Sequence, residues 1–261
     1  MKIDRVIIAW DGNPIYAGLW DIQCKAWPKL GIRPTLAAVG DGVPHGLERD
    51  GADVVFLPDA TELPRGQRNW RTTMSLAHVP RLFPDEVSMT IGLDQIPLGR
   101  WFQDYADTVE DLNGFIAGLP WAKYKVADCP VQYYPSSYLA ASGRVWGRVM
   151  AKAPMDFLEM LRWAWNSGVP YGWADYMDGW GLDEALISTG IAAATGTVNL
   201  FTPPQEVCHQ FQERRVCGRR LGRDATTADP ELLRKGYYSE MHSCIPPAED
   251  ELEIIRVFLD S

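Results

Sequence analysis

The chain has 261 residues, 46% hydrophobic and 23% charged, a composition that excludes disordered, collagen-like and coiled-coil classes. Its formal net charge of -9 excludes a protein that coats nucleic acid by charge alone, because that task needs a surplus of Lys and Arg along one face.

Residues 5–10, Arg-Val-Ile-Ile-Ala-Trp, form a short apolar run that ends at Asp11-Gly-Asn-Pro14, the pattern of a buried first strand followed by a loop. Trp20, Cys24 and Trp27 then recur at i, i+4 and i+7 until Gly31, which predicts an amphipathic helix over about 16–30. Residues 34–39 read as a second strand closed by Gly40-Asp41-Gly42, residues 53–57 as a third, 66–82 as a helix and 87–92 as a fourth strand. Strands alternating with helices predict a parallel sheet covered on both faces, with ligands at the carboxyl ends of the strands.

The second half is less regular. Residues 133–135 and 138–142 are strand-like, 155–167 and 182–194 helical, and 249–259 a last amphipathic helix. The polar stretch 205–229 reads as a long loop, and its arginines Arg214, Arg215, Arg219, Arg220 and Arg223 suit either a phosphate or a solvated surface. One domain spanning 1–261 is expected. The five cysteines form no C-x-x-C pair and read as reduced thiols. The first apolar run breaks at Asp11, too early for a signal peptide or a membrane span, so a cytoplasmic location is expected.

Chemistry concentrates first at Met89-Thr-Ile-Gly-Leu-Asp-Gln-Ile-Pro-Leu98, where Asp94 interrupts an apolar run at the strand's end. A carboxylate in such a setting needs a partner, a metal or water. Asp94 is therefore a turn residue or part of a site. Downstream, Trp173 to Glu184 interleaves aromatics with carboxylates before a helix. Aromatic faces stack on sugars, and a carboxylate can take the proton of an acceptor hydroxyl, although Asp183 and Glu184 also suit a helix start.

Asp94, Pro97, Leu98, Trp101 and Phe102 resemble the metal strand of GT-A glycosyltransferases, in which an Asp-x-Asp motif precedes an apolar residue, Pro, Leu and an aromatic pair. Gly92 stands where the first Asp of that motif falls. Asn13-Pro14-Ile15-Tyr16, Trp27 and Gly31-Ile-Arg-Pro34 resemble the start of a small stand-alone GT-A subset also found in large DNA viruses. The resemblance implies an α/β fold of GT-A type: a Rossmann-like, mostly parallel central sheet, helices on both faces, and a mixed acceptor-side half. On that division about 1–100 is a nucleotide-binding half and about 101–261 an acceptor half.

The same resemblance implies site residues. Ala9, Trp10, Asp11, Tyr16 and Asp41 would hold the base and ribose of a nucleotide-sugar donor, UDP-sugars included. Arg71 would reach the diphosphate, and Ser142, in Tyr138-Leu-Ala-Ala-Ser-Gly143, would line the donor sugar. A divalent metal, Mn²⁺ or Mg²⁺, would sit at Asp94 with His242, from Gly236-Tyr-Tyr-Ser-Glu-Met-His242. Gly179-Trp180-Gly181 resembles the acceptor-side acidic motif of inverting members, which makes Glu184 or Asp183 the base. The implied activity is metal-assisted, inverting transfer of a sugar to a hydroxyl on a glycan or other acceptor.

Two other classes share parts of this pattern. A nucleotidyltransferase usually has a basic Gly-rich loop after the first strand, and Asp11-Gly-Asn-Pro14 has no Lys or Arg. A non-catalytic carbohydrate-binding relative is compatible with Gly92. The sequence argues against a dehydrogenase, because no G-x-G-x-x-G follows the first strand.

Overall fold

Apolar runs punctuated by glycine and proline fold into one seven-stranded sheet and a two-stranded ribbon. The computed structural model describes residues 1–40, 46–64, 70–118, 132, 134–168, 181–204, 228–243 and 247–261. In chain order the strands are β1 (Arg5–Trp10), β2 (Arg33–Val39), β3 (Asp53–Leu57), β4 (Val87–Ile91), β5 (Gln95–Pro97), β6 (Gly114–Ala117), β7 (Leu139–Ser142), β8 (Asn199–Phe201) and β9 (Glu240–His242). The helices are α1 (Ala17–Lys29), α2 (Trp70–His78), α3 (Trp101–Asp107), α4 (Gly143–Val149), α5 (Phe157–Trp163), α6 (Leu182–Ala193), α7 (Pro230–Arg234) and α8 (Glu249–Asp260).

The large sheet has the order β3-β2-β1-β4-β7-β6-β8. Parallel pairing joins β3, β2, β1 and β4, and β7 alone runs against its neighbours. The sheet is therefore α/β and mostly parallel. β1 lies inside it because both faces are apolar: Val6, Ile8 and Trp10 enter one core and Ile7 the other, the alternation that a pleated strand imposes. The first core takes α1, the β5–β9 ribbon and α8, and the second takes α2, α4, α5 and α6. Helices thus cover both faces.

The predicted strands over 5–10 and 53–57 match, and the second and fourth differ by one residue at an end. The helix expected over 66–82 is α2 continued by a 3-10 turn at Val79–Leu82, where Pro80 supplies no N–H for an α-helical bond. Residues 66–69 fall outside the described residues, as do 205–227 of the expected long loop. Residues 134 and 135 are not in a strand, and β7 begins at Leu139. Cys24 on α1 is a free thiol that burial pushes up to about 12, so it stays protonated; Cys129, Cys208, Cys217 and Cys244 lie outside the described residues. Among the described residues no helix is long and apolar enough to cross a membrane.

Candidate functional site

Parallel strands deliver the loops that follow them to one edge of the sheet. Trp10 of β1 pairs with Ala38 of β2, and Ile8 with Ile91 of β4. The segments beginning at Asp11, Gly40 and Gly92 therefore leave the sheet side by side. Gly40 adopts φ +98°, a left-handed turn that suits glycine. Asp41 lies outside the described residues.

After β4 the chain makes a tight turn over residues 92–95, closed by Gln95 N–H donating to the Gly92 carbonyl at 3.1 Å. The Gln95 side chain turns back, and its Oε1 accepts from Gly92 N–H at 2.6 Å. Asp94 stands half-buried on this turn. Beneath it, the fully buried Gln23 of α1 donates to the carbonyls of Leu93 at 2.8 Å and Gln95 at 3.1 Å. The chain then enters β5, which pairs antiparallel with β9, Gln95 opposite His242. Ser243 N–H donates to the Asp94 carbonyl at 2.7 Å. Two segments far apart in sequence, those of Asp94 and His242, are joined here by main-chain bonds.

The acidic pair occupies the first turn of α6, after Gly181 in a left-handed conformation at φ +74°. Asp183 is 3% exposed and hydrogen-bonds with the hydroxyls of Ser136 and Thr73. Burial raises its carboxyl above the ordinary range, and those hydrogen bonds offset part of the rise. Glu184 is half-buried, and its Oε1 accepts from Ser136 N–H at 3.2 Å. The Ser136 carbonyl in turn accepts the Thr90 hydroxyl, and Tyr138 N–H donates to the Thr90 carbonyl at 2.7 Å. Thr90 lies on β4 just before the Asp94 turn. Met89 and Ile91 enter the α1 core, so the pleat turns Thr90 to the opposite face, toward α2 and α6. The acids and Asp94 thus reach the end of β4 from opposite faces of the sheet.

Several expected contacts are revised. The Trp10 ring is 2% exposed in the core and donates Nε1–H to the Asn13 carbonyl at 2.9 Å, which leaves its main chain alone to line a ligand. Ala9, Asp11 and Tyr16 are half-buried at the rim. Arg71 is no exposed cation: it is 5% exposed, ion-pairs with Asp59 at 3.2 Å and donates to the Ala60 carbonyl at 2.6 Å. Its guanidinium staples the loop after β3. Ser142 stands at the far end of the molecule, because β7 runs against β4 and pairs Ser142 with Val87. Its hydroxyl caps α4 by accepting from Val145 N–H at 3.3 Å. Ser136 and Tyr138 precede the end of β7 that reaches the site. His242 is placed by its main chain on β9, and the aromatic tract 173–180 lies outside the described residues.

Sequence reasoning missed Gln23, Gln95, Thr90 and Ser136. Gln23 carried a signal: it is a polar residue three places after Trp20 and four before Trp27, on the stripe that faces the core. The others reveal their roles through tertiary partners alone.

The galactosyltransferase LgtC, in a complex with donor and acceptor sugar analogs, aligns with a TM-score of 0.50 at 15% identity, covering 97% of this chain and 95% of that one. An active-site mutant of LgtC gives a TM-score of 0.52 at 14% identity, over 97% and 94%. No protein-family model and no curated protein matches the sequence. At such identities the likeness concerns the fold, and the fold is of GT-A type.

Proposed function

We propose that this chain is a nucleotide-sugar-dependent glycosyltransferase whose site lies where β1, β2 and β4 end. The observation that carries the reading is the β5–β9 ribbon, which ties the His242 segment to the Asp94 turn at the carboxyl edge of a GT-A sheet. Asp11 and the main chain of Ala9 and Trp10, with Tyr16 beside them, suit the nucleotide end of the donor.

A divalent ion fits this turn in part. Asp94 offers one hard oxygen donor, Gly92 offers none, and among the described residues no group of three His, Cys, Asp or Glu side chains converges. The ion, Mn²⁺ or Mg²⁺, would be held by Asp94 and His242 together with oxygens of the donor diphosphate, and when bound it neutralises charge on that leaving group. Between the two acids we assign the base to Glu184, because a group that takes a proton from the acceptor must reach it, and Glu184 is half-buried where Asp183 is 3% exposed. Asp183 is enclosed and serves to hold Ser136, which holds Glu184. In the reaction the acceptor oxygen bonds to the anomeric carbon, the bond from that carbon to the diphosphate breaks, and the hydroxyl proton passes to Glu184. Such a single displacement inverts the anomeric centre.

The test is a screen of nucleotide sugars with Mn²⁺ or Mg²⁺ on the parent, Asp94→Ala and Glu184→Gln. Each variant is expected to fold like the parent and lose at least about 100-fold in transfer. Unchanged rates in both overturn the reading, and a product of retained configuration overturns the role of Glu184. A carbohydrate-binding protein without turnover is the reading that the lone carboxylate would favour; stabilisation by sugar nucleotides without product in the parent would identify it.

A further inference from the structure

We infer that Gln23 is a positioning residue for Asp94, and that Gly92 completes the same device by making room for the carboxylate. The inference rests on the glycosyltransferase reading and deepens its metal site.

The orientation of the Gln23 amide is determined by its partners. Trp27 Nε1–H can only donate, and it lies 2.6 Å from Gln23 Oε1. Nε2 must therefore face the two carbonyls, those of Leu93 and Gln95. Those carbonyls flank Asp94. The carbonyl of Asp94 itself accepts from Ser243 N–H, and Gly92 N–H is held by the Gln95 side chain. The main chain on both sides of Asp94 is thus fixed from below by α1 and from the side by β9, which leaves the side-chain torsions of Asp94 as the remaining freedom.

Gly92 leaves open the position that the carboxylate takes. A Cβ at position 92 would stand 2.8 Å from Asp94 Oδ1, closer than real Cβ contacts come, and a tight 3.0 Å from Gln95 Oε1, so both side-chain ends would have to move aside. The carboxylate therefore occupies space that any other residue at 92 would take. Gly92 lies outside the left-handed region, so its lack of a side chain, rather than its backbone, is what the turn uses. A carboxylate carried on a main chain fixed on both sides has fewer positions to sample before it meets an ion, which is a form of preorganisation. Loss of partners that orient a metal ligand typically costs roughly 10- to 100-fold in metal affinity.

The experiment titrates Mn²⁺ against the full chain by water-proton relaxation, alone and with each common nucleoside diphosphate. Parent, Gly92→Ala, Gly92→Asp and Gln23→Met are compared, with melting curves as the check on folding. Gly92→Ala is expected to melt close to the parent, bind nucleoside diphosphate without metal as the parent does, and bind Mn²⁺ about tenfold more weakly. Gln23→Met should shift Mn²⁺ affinity in the same direction. Gly92→Asp should also lose affinity, although it adds a carboxylate. If the parent binds Mn²⁺ and the glycine variants bind it equally or more tightly, the inference is overturned while the proposed function stands. If the parent binds neither Mn²⁺ nor a metal–nucleotide complex, the metal-assisted reading falls and takes the inference with it.

Discussion

The two edges of the large sheet treat charge in opposite ways. At the amino edge, Arg5 is 2% exposed, yet its guanidinium meets Glu86 at 2.6 Å and both Asp53 and Thr35 at 2.8 Å, and it lies 3.5 Å over the Phe83 ring. Asp4 accepts from Val87 N–H at 2.8 Å. Charges there are matched within the chain, and the edge is closed. At the carboxyl edge, no ion pair reaches Asp94 among the described residues, and burial raises the Asp183 carboxyl although its hydroxyl and amide partners offset part of the rise. Burying a carboxyl without a cation costs stability, and Asp183 carries that cost where Arg5 and its partners do not. The same residue types are neutralised by ion pairs at one edge and held by hydrogen bonds at the other.

Substitutions can break or sharpen this contrast. The largest stability effect is expected for Arg5→Met at the amino edge. Removing one member of a buried pair costs about 3–5 kcal/mol, and the lower end applies because Asp53 and Glu86 are 40% and 38% exposed and can regain water. Urea denaturation should show that loss, with transfer per folded molecule unchanged. Reduced turnover in the folded fraction would mean that the two edges are not separable.

Asp183→Asn addresses the other edge. Burial raises the Asp183 carboxyl above 3.8, so the folded state holds that proton more tightly than the unfolded chain. Its contribution to stability is greatest below that ordinary value and declines as pH rises through the folded pKa. Asparagine removes the titration, so the variant should gain on the parent as pH rises through the folded pKa. An advantage that is equal at mildly acidic and neutral pH would contradict this account. The smallest effect is expected for Ser142→Ala, which removes the cap of α4 at the amino edge and should cost about 1 kcal/mol without altering transfer. A change in donor KM for that variant would return Ser142 to the site.

Much of the frame is legible in the residue order. Val6 to Trp10 and Val54 to Leu57 are apolar runs cut by turn residues, and Trp20, Cys24 and Trp27 recur at helical spacing, so β1, β3 and α1 follow from local chemistry. Asp94 is legible too, as a carboxylate that breaks such a run where a parallel strand must end. What tertiary structure alone decides is which ends meet and which side chains remain open. β5 and β9 have three residues each, too short for any periodicity, and their pairing depends on a surface that α1 provides. Arg71 and Trp10 had the chemistry of ligand contacts, but their neighbours enclosed them. Ser142 had the right segment and the wrong end, because a strand's direction is set by the partner it pairs with. Sequence determines where the chain can be a strand or a helix through local terms, whereas burial and pairing are sums over residues distant along the chain.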